Sequence, residues 1–232
     1  MADRAVYVWS GAEAVDVRFV ASRPDPGRSP AIAAAGEALF TSATAAAGRG
    51  VGIDDVDRMD LYSCFPSAVQ MACDALGLVG DDARGLTVTG GLPYFGGPGN
   101  NYTTHGIATL TDLLRDGEGT GTRLGLATGL GWFVTKHALG LYGSTPPPAG
   151  FHRGDTTAAQ ARIDVTAAPV VDHVGAPETA TVVARLASGG QMALSPADDE
   201  VLAAMGEEDL PGLIGGDVVV QAGEPRYRLP GR

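Results

Sequence analysis

TGGLPYFGGPGNNYTTHGIATL, residues 89–110, is the stretch on which the fold of this chain turns. It carries the glycine pairs Gly90-Gly91 and Gly96-Gly97, then Pro98, Gly99, Asn100 and Asn101, and passes abruptly into a run of helical character over 103–115. Glycines ahead of a helix N-terminus let the backbone approach a ligand closely and aim free N–H groups at it. An oxyanion, a phosphate or a thioester carbonyl suits such a cradle. The same glycines also suit a tight strand-to-helix turn with no ligand. Gly96, Gly97 and Gly99 are the candidate backbone donors. Asn100 and Asn101 either present side-chain amides to an oxyanion or cap the helix that follows.

On the N-terminal side, residues 4–9 (RAVYVW) read as a strand, followed by a Pro/Asp/Arg-rich loop over 22–30. Ser29 as cap and Pro30 at the first helical position predict a helix through 31–47, with Ile32, Leu39 and Phe40 on its apolar face. A short strand is expected over 59–63, then a helix over 67–77 that stops at Gly77, a C′ glycine. A strand over 86–89 leads into the Gly-rich turn. On its C-terminal side, strands are expected over 123–128 and 133–142, the second interrupted by Lys136 and His137. This strand–helix rhythm predicts an α/β layer.

PPPAG at 146–150 ends the rhythm. Strands are expected at 179–186 and 191–194, joined as a hairpin by a turn at 188–190, then a short helix over 196–205 and strands at 217–221 and 226–229. Residues 151–178 carry few signals and read as partly irregular. The division is therefore an α/β domain over 1–149 and a small β-barrel of OB-like type over 150–232.

At 232 residues with 44% hydrophobic composition, the chain can bury a real core. A net charge of -11 argues against nucleic acid, whose phosphates call for a basic face, and the acidic run Glu207-Glu208-Asp209 adds to that. No apolar run is long enough to cross a membrane, and the N-terminus lacks a signal-peptide layout. Two cysteines make no disulfide framework, so a reducing cytoplasm is the expected location. The spacing of His, Cys, Asp and Glu suggests no metal site.

Three blocks then carry a family resemblance: DLYSCFPSAV at 60–69, GGLPYFGGPGNNY at 90–102 and GLATGLGWFVTKHALGLYG at 125–143. In this order they resemble the C-terminal half of the thiolase superfamily. The sterol-carrier-protein-type thiolases and the thiolase-like proteins of type 1, which carry an additional C-terminal β domain, look most similar. The resemblance implies a thiolase-like layered α/β fold and acyl transfer of the acetyl-CoA acetyltransferase type, in lipid metabolism. The coenzyme A ester enters as substrate, with no further cofactor. In that family a cysteine from the N-terminal half takes the acyl group. The histidine of a Gly-His-Pro block activates it, and a second cysteine in the terminal Gly-rich block moves the α-proton.

Against that pattern Gly97 stands where the histidine belongs, and Ala127 or Thr128 where the second cysteine belongs. Tyr62 replaces the family's His or Asn. A phenol donates a hydrogen bond but is a poor base at neutral pH. His105, on the first turn after the Gly-rich loop, either replaces the missing histidine or packs on its helix. His137, beside Lys136, either supplies a base or a cation for a CoA phosphate, or ends a solvated strand. Cys64 lies between a strand end and a helix start, where thiolates are stabilised, or is a small core thiol. Cys73 reads as core, and His152 and His173 have no assigned role.

Because the family's nucleophile lies in its N-terminal half, the resemblance implies a fragment, one subunit of a split enzyme, or a degenerate paralogue. The implied partners are an acyl-CoA and an N-terminal half or a second copy. The β tail is a docking module for a small OB-like protein in a further reading. The two leading functions are an acyltransferase completed by that half, with Cys64, Tyr62, His105 and His137 around the reacting centre, and an inactive CoA-ester-binding or scaffolding subunit.

Overall fold

The computed structural model describes residues 4–18, 20, 23, 25–117, 121–165, 174–176, 179–185, 191–196, 219–220 and 226–228. The chain divides into two compact units, Met1–Asp16 with Gly27–Ile163, and Val17–Pro26 with Asp164–Arg232.

The first unit is built on a mixed sheet of five strands. In sheet order these are β2 (Arg58–Asp60), β3 (Leu124–Gly131), β4 (Lys136–Gly143), β1 (Tyr7–Val15) and β5 (His152–Arg153). The β2/β3 and β1/β5 pairs are parallel, and β3/β4 and β1/β4 are antiparallel. The helix α1 (Pro30–Ala47) begins as its sequence demands. Ser29 Oγ accepts from Ile32 N at 3.1 Å, Pro30 occupies the first turn, and Gly48 closes the helix at φ 67°. Ala31, Ala35, Leu39, Ala43 and Ala46 are fully buried, and the small alanines let the helix lie close on β1 and β4. Burying Leu39 alone contributes about 2 kcal/mol. The helix α2 (Pro66–Leu76) ends at Gly77 in the left-handed conformation and packs on α1, where Leu76 meets Gly36.

The two faces of the sheet are covered by different helices. A Cβ at Gly125 would meet Leu110 and Leu114, and one at Gly129 would meet Thr103, all on α4 (Tyr102–Asp116). Successive residues of a strand alternate in direction. Gly129 pairs with Ala138 and Leu130 with His137, so His137 points to the opposite, α1-covered face.

Four local expectations change. Residues 86–89 form no strand: Leu61 N–H reaches Leu86 O at 2.9 Å, but Val88 N–H and Thr89 N–H turn to the side chain of Asp60 instead of a neighbouring strand. The second hairpin strand starts at Lys136, because Trp132–Thr135 form the turn, with positive φ at Trp132 (61°) and Val134 (50°). The first strand runs over Tyr7–Val15, well past residue 9. Residues 151–178 contain β5, α5 (Thr157–Val165) and β6 (Val174–Ala176). The first compact unit runs to Ile163. Gln160 of α5 bonds both the N–H and the C=O of Val15, at 2.8 and 2.7 Å, which ties the helix to β1.

In the second unit, β7 (Thr179–Arg185) and β8 (Gln191–Pro196) pair as the expected antiparallel hairpin. With β6, β9 (Val219–Val220) and β10 (Arg226–Arg228) they form a five-stranded sheet of order β6-β7-β8-β10-β9. The turn expected at 188–190, the helix expected over 196–205 beyond Pro196, and His173 lie outside the described residues.

Candidate functional site

The Gly-rich stretch folds back on itself. Leu92–Phe95 make a single turn, α3, and a 3-10 turn over Gly99–Asn101 leads into α4. Gly96 N–H donates to Leu92 O at 2.9 Å and Gly99 N–H to Gly97 O at 2.7 Å. Of the three glycine donors expected, Gly97 N–H alone has no acceptor among the described residues. Asn101 is the N-cap residue of α4 but makes no side-chain cap bond, and its amide nitrogen lies 3.3 Å from His105 Nε2. Asn100 is exposed.

Beneath the loop lies a buried polar chain that the sequence reading did not single out. Asp60, at the end of β2, is 1% exposed, and its Oδ1 accepts from Val88 N (3.1 Å), Thr89 N (3.3 Å) and Thr89 Oγ1 (3.0 Å). Thr89 Oγ1 also meets Tyr102 OH at 2.6 Å and accepts from Gly91 N at 3.1 Å. Leu92 N donates to Ser63 Oγ at 3.1 Å, and Gly91 (φ 87°) passes so close that a Cβ there would sit 2.9 Å from that hydroxyl. On α4, a Cβ at Gly106 would lie 2.5 Å from Asp60 Oδ2. Burial pushes the Asp60 carboxyl above the usual range, and the hydrogen bonds it accepts offset this only in part. One signal was available in the sequence. Gly106 interrupts a helical run at a cost of about 1 kcal/mol relative to alanine, and such a residue marks close packing.

His105 is half-buried on α4, tilted against Phe95 at 5.2 Å between ring centroids. Phe95 also meets Tyr102 edge-on at 5.9 Å, and Tyr102 meets Tyr62 edge-on at 5.4 Å. His105 and Tyr62 therefore flank one aromatic cluster with Phe95 and Tyr102 at its centre. Tyr62 N–H donates to Thr128 Oγ1 at 2.8 Å, so that hydroxyl braces the loop after β2. Burial and the nearby Cys64 raise the Tyr62 phenol, and burial raises the half-buried Cys64 thiol, which disfavours its thiolate. Ala127 sits in mid-sheet between Asp60 and Gly140, 4% exposed, and its methyl group has no proton to give.

His137 does not join this cluster, nor does it end a solvated strand. It is 4% exposed on the α1 face, with Nε2 3.3 Å from both Asp16 Oδ2 and Ser29 Oγ. Asp16 also accepts from Ser29 Oγ and, at 3.0 Å, from Ala31 N in the first turn of α1. Burial raises the Asp16 carboxyl, but the bonds from His137, Ser29 and Ala31 together hold it below the usual range. Lys136 lies 5.6 Å over the Trp132 ring at the turn. His152 is in β5. A cleft of about 500 Å³ lined by Arg28, Pro30, Ala33, Met71 and Asp74 among others contains no residue of the Gly-rich loop.

Among the described residues, no group of three or more His, Cys, Asp or Glu could hold a metal ion, and no helix is long and apolar enough to cross a membrane. No protein-family model and no curated protein matches the chain. A solved structure does: a monomeric SCP2-thiolase-like protein type 1 from Mycobacterium smegmatis, at a TM-score of 0.68 and 32% sequence identity. The match covers 99% of this chain and 52% of that one, so this chain spans about half the length of the structure it matches. The mixed five-stranded sheet, the helices on its two faces and this likeness together make the fold of the chain thiolase-like.

Proposed function

We propose that the chain is a thiolase-superfamily polypeptide that binds an acyl-CoA thioester at its Gly-rich loop. In this reading it works as the C-terminal portion of an acyltransferase of the acetyl-CoA acetyltransferase type. The observation that carries the reading is His105, held by Asn101 and Phe95 on the first turns of α4, directly after the loop that resembles the family's Gly-His-Pro block. With Asn101 Nδ2 donating to Nε2, the proton of a neutral His105 ring sits on Nδ1. Release of Nε2 from Asn101 frees its lone pair to accept a proton beside the loop. Gly97 N–H and the Asn100 amide are the remaining donors for a thioester oxygen.

His137 is not part of this reading, because it faces the other side of the sheet. Cys64 is given no nucleophilic role in this reading, because burial raises its thiol and disfavours the thiolate. The nucleophile comes from a polypeptide carrying the other half of the fold. We read the C-terminal sheet as one wall of a small barrel that serves as a docking module.

Calorimetric titration with acetyl-CoA and longer acyl-CoA esters tests the binding step. The expected result is saturable binding that weakens about tenfold or more in His105→Ala, with Gly97→Pro abolishing the free donor as a second probe. Absence of binding by any acyl-CoA ester sinks the proposal. Transfer activity, assayed after mixing with the complementary half, then has to fall in His105→Ala.

A further inference from the structure

The residue that accepts the hydrogen bonds at the start of the Gly-rich loop is buried, acidic and unclaimed by any reading of the loop itself. We propose that Asp60 is the positioning residue of that loop, acting as the fixed acceptor at the end of a one-way hydrogen-bond chain from Tyr102 through Thr89. The inference deepens the proposed function, and it rests on that reading for the claim that the loop meets a ligand.

The direction of the chain follows from proton counting. With Asp60 ionised, which leaves the carboxylate able only to accept, the one hydroxyl proton of Thr89 is directed at Asp60 Oδ1, 3.0 Å away. Tyr102 OH, 2.6 Å from the same Thr89 oxygen, must then be the donor. Gly91 N–H donates to that oxygen from the loop side at 3.1 Å. Thr89 Oγ1 thus gives one bond and takes two, which is its full capacity. The phenol proton of Tyr102 points inward, so Tyr102 is a wall of the aromatic cluster and not an acid for the ligand.

Three loop positions depend on this one carboxylate, Val88 and Thr89 directly and Gly91 through a single hydroxyl. The opposite oxygen, Oδ2, lies where α4 passes with a glycine, Gly106, leaving the room. The same group therefore sets the start of the loop and the seat of the helix that carries His105. Desolvation works against a charge here, and among the described residues no cationic side chain is bonded to the carboxyl.

Backbone amide exchange followed by NMR on the full chain tests this without any ligand. In Asp60→Asn, which keeps an acceptor oxygen and loses the charge, protection at Val88, Thr89 and Gly91 should fall roughly tenfold, since charge-assisted bonds are about twice as strong as neutral ones. Protection at Leu39 in α1 and the melting temperature should not fall. Thr89→Val should reproduce the local loss, and Thr89→Ser, which restores a hydroxyl, should reverse it. Unchanged protection in Asp60→Asn overturns the proposal. So does a uniform loss that includes Leu39 with a lowered melting temperature, which marks a merely structural anchor. Loss in Asp60→Asn without loss in Thr89→Val overturns the chain through Thr89. If these loop responses appear while no acyl-CoA ester binds, the positioning role stands and the proposed function fails.

Discussion

Two buried aspartates sit on opposite faces of one sheet, and their surroundings push them in opposite directions. Asp16 meets the imidazole of His137, the hydroxyl of Ser29 and the first turn of α1, and its carboxyl is held below the usual range despite burial. Asp60 meets backbone N–H groups, one hydroxyl and a glycine, and its carboxyl is raised. Burial is nearly equal, 4% and 1% exposed, so the partners decide. A helix N-terminus and a histidine offset desolvation, whereas neutral donors alone do not. One carboxylate locks a helix to the sheet, and the other holds a loop.

The largest expected effect comes from breaking the locked pair. Asp16→Ala leaves His137 and the start of α1 without their acceptor and should lower unfolding stability by about 3 kcal/mol, read from urea denaturation. A loss under 1 kcal/mol would mean that the Asp16 cluster is no lock. Next comes the crowded side of the comparison. Gly106→Ala puts a methyl group against Asp60 Oδ2, and the mismatch should cost about 2 kcal/mol and shift the loop resonances. If Gly106→Ala is neutral, α4 is not seated by Asp60.

The pH dependence should split the pair by sign. The folded-state value of Asp16 is depressed, so its contribution is present above the ordinary carboxylate range and is lost as pH falls through the lower, folded value. The stability gap between wild type and Asp16→Asn should therefore narrow on acidification. The folded-state value of Asp60 is raised, so its ionisation removes stability as pH rises from the ordinary range through the higher value. Asp60→Asn should gain on wild type over that rise. Melting curves taken between about pH 3 and 7 check both, and curves that move in the same direction would refute the contrast. The smallest effect is expected at Gly97, where a Cβ meets nothing within 4 Å and φ is not in the left-handed region. Gly97→Ala should change stability by less than about 0.5 kcal/mol.

Much of the architecture was legible because its signals are local. Ser29-Pro30 and Gly77 mark helix ends through capping chemistry that needs no distant partner, and the alternation in 179–194 specifies a hairpin. The strand expected at 86–89 failed for the opposite reason. Its apolar pattern is genuine, but Asp60, nearly thirty residues earlier, takes the N–H groups a neighbouring strand would need. His137 was misread in the same way, since its neighbour Lys136 suggested solvent while Asp16 and Ser29 close over it from other elements. The turn at Trp132–Thr135 has positive φ at a tryptophan and a valine, which no propensity foretells.

By itself the sequence determined the α/β character of the first unit, the β character of the second, the thiolase-like order of blocks and the loss of the expected histidine and cysteine at Gly97 and Ala127. Residue type and short-range spacing suffice for those. Only the tertiary structure decided which side of the sheet each histidine faces, which loop N–H groups remain open, and that Asp60 and Thr89 carry the Gly-rich loop. Those outcomes depend on strand register and on desolvated bonds between residues far apart in the chain. A one-residue change of register in β4 would turn His137 to the other face of the sheet while leaving the composition untouched.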